Sequence, residues 1–229
     1  MMNTMDFVHA LSEELLRNAN PAIAAEQKAY MRDQFEFFGI KAQQRRDIQK
    51  PFLVKAYLPA KEELPELIKT FWTKPQREFH LFAQELVFKY IKQFEKEDMP
   101  LLEYMVTHKS WWDTVDNIAV HLMGNYFQKF PEDRKIYVDK WLQSDHLWLQ
   151  RCAILFQLKY KTAIDTKLLT HVIHSLLGSN EFFINKAIGW VLREYSKTDP
   201  VWVENFANQT DLHSLSRKEA LRILKKKSS

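Results

Sequence analysis

Apolar positions recur along this chain at intervals of three and four, which predicts helices rather than the strict alternation of half-buried strands. The opening stretch MMNTMDFVHALSEELLRNAN predicts an amphipathic helix, and the acids among its apolar residues argue against a signal peptide. AIAAEQKAYMRDQFEFFG predicts a second helix, and another follows Gln43. MPLLEYMVTH (99–108), RKIYVDKWLQS (134–144) and TKLLTHVIHSLLG (166–178) continue the pattern, with Pro131, Gly178 and Pro200 as punctuation.

A longer period lies over this spacing. Tyr90, Tyr126, Tyr160 and Tyr195 stand 36, 34 and 35 residues apart. Seven residues before each are Ala83, Ala119, Ala153 and Ile188, and four before are Leu86, Leu122, Phe156 and Val191. Each window opens near an aromatic: Trp72, Trp112, Trp148 and Phe183. A helix pair repeating every ~35 residues predicts an all-α fold of HEAT-like repeats, a right-handed α-solenoid with a concave face. The expected organisation is one domain over 1–229, with diverged helices over 1–70 and clear repeats over 71–200. Helices and a basic tail would fill 201–229. In such a stack the second helix of each pair lines the concavity, so equivalent positions of successive repeats converge there.

Composition agrees with this picture. Four glycines and eight prolines leave little material for hairpins. The single cysteine, Cys152, excludes an internal disulfide and fits a reducing cytoplasm. No run of 18 apolar residues offers a membrane span. Charge is uneven: residues 1–149 hold 20 Lys+Arg against 22 Asp+Glu, and residues 150–229 hold 13 against 7. A basic C-terminal third suggests an anionic partner, nucleic acid first, or else a solvated basic face with a charged tail, Lys225–Lys227. No Walker A or dinucleotide glycine pattern is present. His171 and His174 lack the companions of a metal site, and Cys152 lies in an apolar run that suits burial better than nucleophilic work. Neither a metal nor another cofactor is expected.

The stretch SWWDTVD (110–116) carries the candidate chemistry. Trp112 and Asp116 stand at i and i+4, on one face of a helix, and Trp111 lies about 100° away. Stacking would bring Arg151 and Trp190 from the next two repeats toward them. A carboxylate between aromatic faces stabilises a cation; at ~4 Å the charge pair is worth about 1 kcal/mol in water and about 4 kcal/mol at an effective dielectric of 20. An arginine fork suits a phosphate. Cation, sugar and phosphate together describe an alkylated nucleotide. Taken singly, Trp112 and Trp190 also read as core aromatics, and Asp116 with Arg151 as an inter-repeat salt bridge.

SWWDTVD, WLQRCAILFQLKYK and EFFINKAIGWVLREY resemble the AlkD family of bacterial DNA alkylation-repair glycosylases. The resemblance runs from KAYMRDQFEFFGI (28–40) through WTKPQREF (72–79) to LSRKEALRILK (215–225). It implies hydrolysis of the N-glycosidic bond of positively charged N3- and N7-alkylpurines, such as 3-methyladenine and 7-methylguanine, in double-stranded DNA. It also implies action without base flipping. By the matching motifs the catalytic aspartate falls on Asp116, its aromatic partners on Trp112 and Trp190, and the cleft arginine on Arg151. A tyrosine contacting the lesion strand falls on Tyr30. Lys159 and Arg193 are backbone contacts in the same motifs. With no lysine in the catalytic set, a monofunctional enzyme leaving an abasic site is expected, working as a monomer in the bacterial cytoplasm and on the nucleoid. The alternative is a helical-repeat protein that binds DNA without catalysis.

Overall fold

The computed structural model describes residues 4–227. Every regular element among them is helical, and the only ladder pairing is a lone bridge between Glu36 and Gln76. None of these helices is long and apolar enough to cross a membrane. Two compact units divide the chain, Met1–Phe94 and Glu95–Ser229, within the 1–229 span that the repeat pattern read as one domain.

The first unit holds α1 (Thr4–Arg17), α2 (Pro21–Tyr30), α3 (Ala42–Gln49), α4 (Leu64–Thr73) and α5 (Arg77–Phe88). In α1, Phe7, Val8, Leu11 and Leu15 are buried, the stripe its i, i+4 spacing predicts. Asn20 caps α2, accepting from the amides of Ala22 and Ile23. The second helix is shorter than expected. It ends at Tyr30 because Arg32 and Asp33 take left-handed backbone (φ 55° and 57°), and the chain through QFEFFG runs without a helix. Glu78, 1% exposed, fixes that segment by accepting the amides of Phe38 at 3.1 Å, Gly39 at 3.1 Å and Ile40 at 3.3 Å. Those amides would otherwise be buried donors without acceptors. Glu78→Gln puts an NH2 group among them. The expected loss is about 1–3 kcal/mol of unfolding free energy, to be read from urea titration of the native and variant proteins.

The second unit holds two layers of helices. One contains α6 (Met99–Thr107), α9 (Asp133–Gln143), α11 (Thr166–Ser175) and α13 (Pro200–Gln209). The other begins with a helical run over 112–129, made of α7 (Trp112–Asn117), a π-helical turn (Ile118–Met123) and α8 (Gly124–Lys129). It continues with α10 (Leu147–Leu155), α12 (Phe182–Tyr195) and α14 (Ser214–Ala220); α15 (Arg222–Lys227) follows. Successive members of this second layer pack on one another: the 112–129 run on α10, α10 on α12, α12 on α14. Gly189 permits the last of these approaches, since a Cβ there would stand 2.6 Å from Cβ of Glu219.

The tyrosine period has a structural cause. Tyr90 donates its hydroxyl to the carbonyl of Pro59 (2.6 Å), Tyr126 to that of Lys96 (3.3 Å) and to Asp133 (2.7 Å), and Tyr160 to that of Gly124 (2.6 Å). Three buried rings thus tie their helix ends back to a segment 30 to 36 residues earlier. Tyr195 departs from the pattern: it is half-buried and meets Trp202 edge-on at 5.5 Å. Polar ties follow the same period. Trp141 Nε1 donates to Glu103 at 2.6 Å, and Lys140 reaches both oxygens of that carboxylate at 2.8 Å, joining α9 to α6. The side chains of Lys225–Lys227, the expected tail, lie outside the described residues.

Candidate active site

Four of the candidate residues sit on neighbouring helices of the second layer of the second unit: Trp112 and Asp116 on α7, Arg151 on α10, Trp190 on α12. The repeat period therefore places them on successive helices of that layer. Trp112, Asp116 and Trp190 are half-buried, whereas Arg151 is 3% exposed.

Arg151 forks onto Asp116, Nε donating to Oδ1 at 2.7 Å and Nη2 to Oδ2 at 2.8 Å. Its Nη1 donates to the backbone carbonyl of Phe183, so three edges of the guanidinium are directed at protein. This is the inter-repeat salt bridge that the isolated residues suggested. A guanidinium so placed positions the carboxylate; it does not face outward as a phosphate fork would. Each carboxylate oxygen retains a further lone pair, so Asp116 can still accept from a water. Burial pushes the Asp116 carboxyl above its ordinary value of 3.8, and the neighbouring Asp113 adds to this, while the Arg151 fork pulls it back in part. Cys152, beside Arg151, is buried; burial first and then the Asp116 charge push its thiol well up, which removes it as a nucleophile.

Trp111 does not belong to the helix. It precedes α7 with extended backbone (φ −158°, ψ 160°), and its carbonyl accepts the amide of Val115 at 3.0 Å. Its ring meets Trp148 at 5.8 Å and Phe183 at 5.5 Å, and those two rings stand 4.9 Å apart. Trp111 thus joins the entry aromatics of the next two repeats. Two residues after Asp116 the helix widens into the π turn over 118–123, a feature that recurs at functional sites.

The remaining candidates have other partners or belong to the other unit. Lys159, in the turn after α10, pairs with Glu194 at 3.2 Å, and Lys197 shares that carboxylate. Burial opposes ionisation of Glu194, but the two lysines outweigh it and hold its carboxyl low. Nearby His121, exposed on the π turn, has its imidazole pKa lowered by burial first and by Lys159 second. Arg193 pairs with Glu219, which also takes Lys186 at 2.8 Å. Tyr30 belongs to the first unit, where it ends α2 with 73% exposure. His171 bonds Asp139 (3.1 Å) and His174 stacks on Phe206, and among the described residues no group of three or more His, Cys, Asp or Glu could hold a metal ion.

Residues 11–224 match the family model of the DNA alkylation repair enzymes. The chain belongs to that family. Its fold agrees with a solved structure described as a predicted DNA alkylation repair enzyme from Enterococcus faecalis, with a TM-score of 0.84 and 32% sequence identity over 90% of this chain and 96% of that one. Together these assign the all-helical α-solenoid architecture to this member of the DNA alkylation repair enzymes. No curated protein matches the chain. Sequence reading placed Trp148 and Phe183 at the entries of their repeats and set Trp111 on another face from Trp112, but gave none of the three a part in the site. Their signal was present in the entry aromatics of each window, but the window marked repeat boundaries and said nothing of the ion pair behind them.

Proposed function

We propose that this protein is a monofunctional DNA glycosylase that hydrolyses the N-glycosidic bond of positively charged N3- and N7-alkylpurines in duplex DNA. The observation that carries the reading is the half-buried Asp116 carboxylate, oriented by Arg151 and set four residues after Trp112 on one helix face. Alkylation leaves the purine cationic. When the C1′–N bond breaks, its electron pair departs with the base and neutralises it, so no acid is needed. The positive charge passes to the deoxyribose, where Asp116 stabilises it and orients the water that adds to C1′. The proton lost from that water goes to solvent. Trp112 and Trp190 provide aromatic faces to the sugar and to its developing charge. Arg151 acts through Asp116. Tyr30 contacts the lesion strand.

A lyase step would need an amine at the sugar. Two lysines of the matching motifs, Lys159 and Lys186, are engaged by Glu194 and Glu219, which supports an abasic product without strand cleavage. A departing base that is already a good leaving group lessens the need for a pocket around it, which supports action without base flipping. The deciding experiment is release of free 7-methylguanine and 3-methyladenine from methylated duplex DNA. Release with intact strands is expected. Duplex bound with no cationic purine released would replace this reading with a non-catalytic DNA-binding protein.

Phosphate contacts make the binding salt-dependent, with a slope of about −0.9 per phosphate neutralised. If Lys159 exchanges Glu194 for a DNA phosphate, Lys159→Ala flattens the slope of log Kd against log salt by about one unit. Fluorescence anisotropy with a labelled duplex across a salt series checks this, and an unchanged slope removes Lys159 from the interface.

A further inference from the structure

The three rings beside the ion pair each stand at the start of a helix, Trp111 just outside it and the other two just inside. Trp111 immediately precedes α7 as its N-cap residue, Trp148 is the second residue of α10, and Phe183 is the second residue of α12. Those helices carry Asp116, Arg151 and Trp190. The cluster therefore joins the first turns of three successive helices by ring contacts of 4.9 to 5.8 Å. One member also touches the ion pair twice: Phe183 offers its carbonyl to Arg151 Nη1, and its ring centroid lies 5.8 Å from the guanidinium carbon. Trp111 Nε1 is buried without a hydrogen-bond partner, so this indole contributes its ring and not its N–H.

We propose that Trp111, Trp148 and Phe183 form a positioning unit that pins three helix starts together, seats Arg151 against Asp116, and so aims the Asp116 carboxylate. Shrinking one ring lets α10 settle differently against α7 and α12. The fork on Asp116 then loosens, although the residues in the fork are unchanged. The proposal rests on Asp116 being the working carboxylate, and it names the groups that set where that carboxylate points. The charged and titratable neighbours of Asp116 are Arg151 and Cys152 from α10 and Asp113 from its own helix. Of these, Arg151 touches the ring cluster, through Phe183.

The test uses the full chain and Trp148→Leu, with Trp148→Phe as the conservative replacement. Three quantities are read: the titration midpoint of the Asp116 carboxyl by ¹³C NMR, assigned with Asp116→Asn; Kd for undamaged duplex; and kcat for release of 7-methylguanine. The expected result for Trp148→Leu is a higher Asp116 midpoint, a kcat lowered about tenfold, and a Kd within about twofold of native. Trp148→Phe is expected to recover most of both losses. A folded Trp148→Leu protein whose Asp116 titrates as in the native chain overturns the proposal. Should Trp148→Leu not fold, Trp111→Phe tests another vertex, with a smaller shift in the same direction expected and no shift overturning it. If Asp116→Asn itself still releases base, the glycosylase reading of Asp116 fails, while the NMR midpoint still decides the positioning claim by itself.

Discussion

Asp116→Asn is expected to lower 7-methylguanine release by a hundredfold or more while leaving the fold and DNA binding in place. Asparagine keeps the shape of the side chain and an oxygen for Arg151 but removes the negative charge. Preorganised electrostatic groups of this kind are typically worth 10²–10³ in rate, about 2.7–4 kcal/mol of barrier. The half-buried setting strengthens the interaction with a developing cation relative to water. Single-turnover release from saturating enzyme measures the chemical step alone. A variant with native rates would leave the glycosylase in place and remove Asp116 from its centre. The carboxylate form is the active one, so activity should fall as Asp116 is protonated. Burial has moved that protonation upward, and the acid limb of the rate profile is expected above the ordinary aspartate value of 3.8.

The repeat architecture was legible in the sequence because three of the four tyrosine hydroxyls are tied to the preceding repeat. A structural requirement that recurs once per repeat leaves a mark that recurs once per repeat. Tyr90, Tyr126 and Tyr160 all make such ties, and the period was read from them. The ion pair of Arg151 and Asp116 was legible as a possibility, since the residues stand 35 positions apart. What sequence could not supply was direction. A guanidinium aimed at a phosphate and one aimed at a carboxylate leave the same letters in WLQR, and the difference lies in the Phe183 carbonyl and the rings around it. The π turn after Asp116 was equally hidden, because inserting one residue per turn over a single turn leaves the apolar spacing of IAVHLM compatible with an ordinary helix. The early end of α2 was missed because Arg32 and Asp33 adopt left-handed backbone, for which no glycine signals in this stretch.

Arg151→Met should be the most destabilising single change at the site, by about 3–5 kcal/mol near neutral pH. The arginine and aspartate side chains are 4% and 16% exposed, so removing one partner strands a charge that water reaches poorly. The methionine stem replaces much of the packing but none of the three donated hydrogen bonds. The deficit has a definite pH dependence. Arg151 is what pulls the Asp116 carboxyl down, so without it the folded-state value rises further above 3.8. A group with a raised folded value contributes stability that is fully present below its unfolded value and lost as pH rises through the folded one. The gap between variant and native protein should therefore narrow as pH falls toward the unfolded value near 3.8 and widen as pH rises through the raised folded value. Urea titrations of both proteins at several pH values measure it, compared as differences so that other groups cancel. The double variant Asp116→Asn/Arg151→Met completes the cycle. It removes the stranded charge and should regain a large part of the loss without regaining base release. If the single and double variants are equally destabilised, the fork is packing and not an ion pair, and Arg151 does not hold the carboxylate in place.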